Sequence, residues 1–117
     1  MFEEFTAITI PASAKVVNDE HQDMGQDYGK VLELHLDNNA QADLLHFVTG
    51  SPFYKPINIS DNIVKPDLFQ QVGQRRGLWY RNKRGYAFYG STIDSRDNVT
   101  ATIDTIASKT YFQYLAD

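Results

Sequence analysis

At 117 residues the chain has the length of one domain built on a single core. Hydrophobic residues make up 42% and charged residues 22%, the balance of a folded protein, and no apolar run approaches the roughly 18–20 residues that cross a bilayer as a helix. The absence of cysteine excludes disulfides, thiolate metal sites and cysteine nucleophiles, and the net charge of −4 has the opposite sign to that of a general nucleic-acid binder.

Ile8–Ile10 reads as a short extended segment, which Pro11 confines to an edge or to a place outside any sheet. Ala14–His21 is a first predicted strand, and Gln22–Gly29 a turn-rich connection. Tyr28–Leu36 is the clearest strand, with Leu32, Leu34 and Leu36 alternating against Val31, Glu33 and His35. Asp37-Asn38-Asn39 supplies N-cap candidates for a helix from Ala40 to Thr49, with Leu44, Leu45 and Val48 on its apolar stripe. Gly50 suits the position just past that helix and Pro52 prevents its continuation. Residues 53–74 show no period, apart from a short helix opened by Pro66.

Leu78–Arg81 and Tyr86–Ile93 pair as a hairpin across Asn82-Lys83-Arg84-Gly85, where Gly85 suits a positive φ. Val99–Ile106 alternates again, and Thr110–Leu115 is a last strand rich in Tyr and Phe. The expected fold is one α+β domain over residues 1–117. Its antiparallel sheet has about six strands, ordered β-β-α-β-β-β-β in the chain, with one main helix on one face.

Charge is unevenly distributed. Residues 1–43 sum to −7 and residues 66–117 to +2. The basic residues concentrate in the hairpin, where Arg75, Arg76, Arg81, Lys83 and Arg84 fall within ten positions beside Trp79, Tyr80, Tyr86, Phe88 and Tyr89. Strand alternation puts Trp79 and Arg81 on one face and Leu78 and Tyr80 on the other. If Leu78 and Tyr80 enter the core, Trp79 and Arg81 form an outward platform for cation–π contacts and stacking. If Trp79 and Phe88 are core, the cations decorate a turn. The candidate binding residues are Arg75, Arg76, Trp79, Arg81, Arg84 and Tyr86, of a kind that anchors protein interfaces. Lys83–Phe88 begins like an RNA-binding signature, but Tyr89 stands where that signature has valine, and no second aromatic motif accompanies it.

Other chemistry has less support. His21, His35 and His46 lack helical metal spacing, and the acidic stretch Asp19–Asp27 lacks the calcium-loop frame. No nucleophile elbow or phosphate-binding loop occurs. The sequence therefore calls for no metal, no cofactor and no catalytic residue.

Phe2–Val17 in the pattern FxxxTxIxIPASAKVV, the ADLLHFVTGSPF helix exit and the late Trp-containing meander resemble the soluble domains of small bacterial envelope lipoproteins of unknown function. That resemblance implies a periplasmic or envelope-anchored chain from which a leader has been removed. Met1–Ile10 itself carries two acids where a leader carries bases, which taken alone points to the cytoplasm. The expected function is a non-catalytic binding domain whose partner is a protein or an anionic envelope component. Two alternatives are an immunity- or inhibitor-type protein masking a toxin with its acidic N-terminal half, and a small hydrolase or isomerase with a cleft near Glu33, His35 and Asp94.

Overall fold

The structure, a computed structural model, describes residues 2–24, 27–61 and 63–116, with backbone alone for 21–24, 27 and 28. Its elements are α1 (Phe2–Thr6), β1 (Lys15–Met24), β2 (Asp27–His35), α2 (Asn38–Thr49), β3 (Tyr54–Asn58), a 3-10 turn (Pro66–Leu68), β4 (Gln70–Val72), β5 (Arg75–Arg81), β6 (Gly85–Thr92), β7 (Asn98–Asp104) and β8 (Lys109–Ala116). The strands form one open sheet in the order β1-β2-β8-β7-β6-β5-β3, with β4 also on β5. All pairings are antiparallel except that of β3 with β5. The fold is α+β with a mostly antiparallel sheet and one main helix; its eight strands exceed the expected six. None of its helices is long and apolar enough to cross a membrane among the described residues.

The two extra strands come from the stretch without period. β3 is a short edge strand containing Pro56, so it loses a ladder donor and shows no clean alternation. Long-range bonds hold it: the Trp79 amide donates to the Phe53 carbonyl at 2.9 Å, and the Ile59 amide to the Arg81 carbonyl at 2.9 Å. β4 covers the first half of β5 through Gln70–Gly77, Gln71–Arg76 and Val72–Arg75 pairs. The predicted turn over Gln22–Gly29 is tighter than expected, because β1 and β2 pair as far as Met24 with Asp27; Gly25 and Gln26 lie outside the described residues.

The segment before Pro11 is also different. Ile8–Ile10 forms no strand, and α1 precedes it. A five-residue helix is marginal without tertiary support. Here Phe2 stacks on Phe112 with ring centroids 5.2 Å apart, and the Thr6 carbonyl accepts from the Trp79 indole at 2.8 Å and from the Ser51 hydroxyl at 3.3 Å.

The main helix starts where its capping chemistry dictates. The Ala40 amide donates to Asp37 Oδ1 at 2.7 Å, an N-cap bond. Gly50 follows the last turn with φ −90°, so the left-handed conformation expected of a glycine there is not used. Ala40, Leu44 and Val48 are buried against the sheet.

Both sheet faces carry core. One face packs Leu34, Trp79, Phe88, Val99, Ala101, Ile103 and Phe112 against α1, α2 and Phe53. On the other, Leu78, Tyr80 and Ala87 lie under Ile57 of β3 and Ile59, Val64, Leu68 and Phe69 of the β3–β4 connection. The remainder of this second face, around Glu33, Thr100, Thr102, Tyr111 and Gln113, is partly exposed. At the outer edge, β1 carries a register shift between Val16 and Asn18 and exposes Asp19 and Glu20. A bulge and charges of this kind discourage strand addition.

Candidate functional site

The structure separates the six residues that the sequence groups together. Trp79 is fully buried, its indole donating to Thr6 and its ring centroid 5.2 Å from that of Phe88. The outward platform is therefore ruled out for Trp79: both faces of β5 are covered, so neither alternation register leaves it in solvent. Arg75 and Arg76 sit at the start of β5 on opposite faces. The Arg75 guanidinium lies 4.6 Å from the Phe5 ring centre and 3.6 Å from Glu4, whereas that of Arg76 lies 5.8 Å from Phe69. Six residues of extended chain, about 20 Å, separate Arg75 from Arg81.

Arg81, Arg84 and half-buried Tyr86 remain together at the β5–β6 tip, where the centroid of the Tyr86 ring is 6.3 Å from that of Tyr54. Asn82 builds the tip: its Oδ1 accepts from the Arg84 amide at 3.0 Å and the Gly85 amide at 2.9 Å. Gly85 has φ 149°, the positive value expected from the sequence.

Asp104 ties this tip to the β7–β8 turn. Its Oδ2 accepts from Arg84 Nε at 2.9 Å and Nη2 at 2.6 Å, while Oδ1 accepts from the Ile106 and Ala107 amides at 3.0 and 2.9 Å. The Ala107 amide first, then the Arg84 guanidinium, hold the Asp104 carboxyl below the usual carboxylate range. A carboxyl lowered in the folded state stabilises the fold above its unfolded pKa and loses that contribution as pH falls through its folded pKa. The urea midpoint of the wild type should thus exceed that of Asp104→Asn at neutral pH. The gap should close as the pH drops below about 4; a gap independent of pH would contradict this role.

Cross-strand register adds residues that are far away in the chain. Lys15 pairs with His35, His35 with Lys109, Lys109 with Asp104, and Asp104 with Gly85. Directly paired residues share a face. Lys15, His35 and Lys109 therefore line up with Asp104 on the face turned away from α2, and Arg84 joins the row through Asp104. Lys15, His35, Arg81, Lys83, Arg84 and Lys109 are all exposed. Among the described residues the ion pairs are Arg75–Glu4 and Arg84–Asp104, so Lys15, Lys83 and Lys109 are in no ion pair. Arg81, in register with Tyr86 and through it with Ile103, lies on the α2 side of the sheet and outside the row. Beside the row, Asn82, Arg84, Tyr86, Thr102, Ile103 and Asp104 line a small open hollow. Asp37, two residues beyond His35, has one carboxylate oxygen committed to the α2 cap.

Sequence inspection missed Lys15 and Lys109, and placed His35 only in the alternative cleft with Glu33 and Asp94. Each stands at or beside a predicted strand end, but nothing local in the sequence reveals that β2 pairs with β8.

The other arrangements do not assemble. Glu33 and His35 lie towards the cationic end of the sheet, whereas Asp94 is in the β6–β7 turn at the opposite end, so no cleft joins the three. The acids of the N-terminal half are dispersed: Glu3 accepts the Ile10 amide at 2.9 Å, Glu4 pairs with Arg75, and Asp37 caps α2. Among the described residues no three His, Asp or Glu side chains are grouped as metal ligands; part of the acidic stretch Asp19–Asp27 lies outside them. No protein-family model, curated protein or solved structure matches the chain.

Proposed function

We propose that the chain is a non-catalytic binding domain that takes an anionic partner, a protein surface or an anionic envelope component, on the cationic strand-end row. The observation that carries this reading is the register Lys15–His35–Lys109, continued through Asp104 to Arg84. It places cations from both ends of the chain along one end of the sheet, in a protein whose net charge is −4. Such local concentration of one sign raises the association rate of oppositely charged partners. Exposed lysines can engage them without a large desolvation cost.

Retention on a sulfonate cation exchanger at pH 7 and low salt tests this. The wild type should be retained despite its negative net charge, and Lys109→Glu should elute at clearly lower salt. A wild type that flows through, or a variant that elutes unchanged, would overturn the proposal.

A further inference from the structure

Resting on that reading, we infer that the ligand of the row is a linear phosphate-bearing polymer lying across the strand ends. Neighbouring strands are about 4.8 Å apart, so the cations from Lys15 on β1 to Lys83 at the β5–β6 tip spread over roughly 20–25 Å. A single phosphate needs donors that converge on one point. These donors instead succeed one another along a line, which suits a ligand that repeats its charge.

The donor types favour phosphate over carboxylate. The unpaired cations along the row, Lys15, Lys83 and Lys109, are all lysines, point charges that suit monodentate phosphate contacts. The arginine fork best adapted to bidentate carboxylate binding, Arg84, is already engaged by Asp104. Nucleic-acid bases would need stacking platforms, but Trp79 is in the core and Tyr86 and Tyr111 are only half-exposed. The chemistry recognised is thus a phosphate backbone without bases, available from inorganic polyphosphate or from a polyol-phosphate chain.

The test is a titration of the full chain, read by calorimetry, with orthophosphate, long-chain inorganic polyphosphate, poly(glycerol phosphate), a single-stranded oligonucleotide and a glutamate-rich peptide. One or both phosphate polymers should bind, and which of them does identifies the source. Orthophosphate at equal phosphate concentration should not bind. With these three lysines engaged, log affinity should fall against log salt with a slope of about −2, an approximately 20-fold loss between 50 and 200 mM. Lys109→Gln should lower the affinity about fivefold at 0.1 M salt and flatten the slope by about 0.7. Arg96→Gln, at the opposite end of the sheet, should change neither.

Equal binding of orthophosphate, tighter binding of the oligonucleotide at equal phosphate number, or an unchanged slope in Lys109→Gln would overturn the inference. If the peptide binds and the polymers do not, the polymer assignment fails and the cationic row survives. If nothing binds and the exchanger does not retain the protein, both fail.

Discussion

Replacing Trp79 by alanine should destabilise the protein by about 3–5 kcal/mol, the range for deleting a fully buried large aromatic side chain. Trp79 has no exposed surface, packs on Phe88 and donates to the Thr6 carbonyl at 2.8 Å. Because domains are stable by only about 5–15 kcal/mol, the loss should be visible as a large drop in the urea midpoint or as partial unfolding at room temperature. Trp79→Phe separates the two contributions. It keeps an aromatic ring but removes the indole donor that secures α1, and should cost less than the alanine variant. Circular dichroism is the appropriate probe, since both variants lack the only tryptophan. A surface platform residue would change stability by no more than about 0.5 kcal/mol, so the measurement distinguishes the two placements cleanly.

The second large effect belongs to Gly85. Its φ of 149° is strained for any residue with a side chain, and an added Cβ would stand 2.2 Å from the Ile103 carbonyl oxygen. That neighbour is backbone within the β6–β7 ladder and cannot swing away. Gly85→Ala should cost about 2–4 kcal/mol, combining backbone strain with displacement of the strand. Gly73→Ala is the internal comparison: its φ is 61° but nothing lies within 4 Å of the added atom. It should cost only about 1 kcal/mol. Equal destabilisation by the two, measured by urea unfolding, would mean that the close approach at Gly85 carries no weight.

These two residues also mark what the sequence reveals and what it conceals. The alternation of Leu32, Leu34 and Leu36 identifies β2, the Asp37 side chain starts α2, and Asn82–Gly85 fixes the hairpin tip, because each signal is carried by residues close together in the chain. α1, β3 and β4 escape because they are short and are stabilised by partners elsewhere in the chain, such as Phe112 for Phe2 and Arg81 for Ile59. The ambiguity over Trp79 had a local clue: Leu78-Trp79-Tyr80 is an unbroken apolar run, as expected of a strand buried on both faces. The candidate site is less legible than the fold. Arg81, Arg84 and Tyr86 belong to one local hairpin, whereas Lys15, His35 and Lys109 join them only through pairing of β1 with β2 and of β2 with β8. Arg75 and Arg76 are close to Arg81 in sequence, yet extended backbone carries them to the far end of the sheet.

Comparing two charge-reversed proteins of equal net charge tests most directly whether binding depends on this assembled row. One carries Lys15→Glu and Lys109→Glu at the cationic end; the other carries Arg76→Glu and Arg96→Glu at the opposite end. All four positions are exposed, so both proteins should fold, which circular dichroism can confirm. On a sulfonate exchanger at pH 7, the first should lose retention while the second elutes much closer to the wild type. Equal shifts in the two, or a larger shift in the second, would contradict the account.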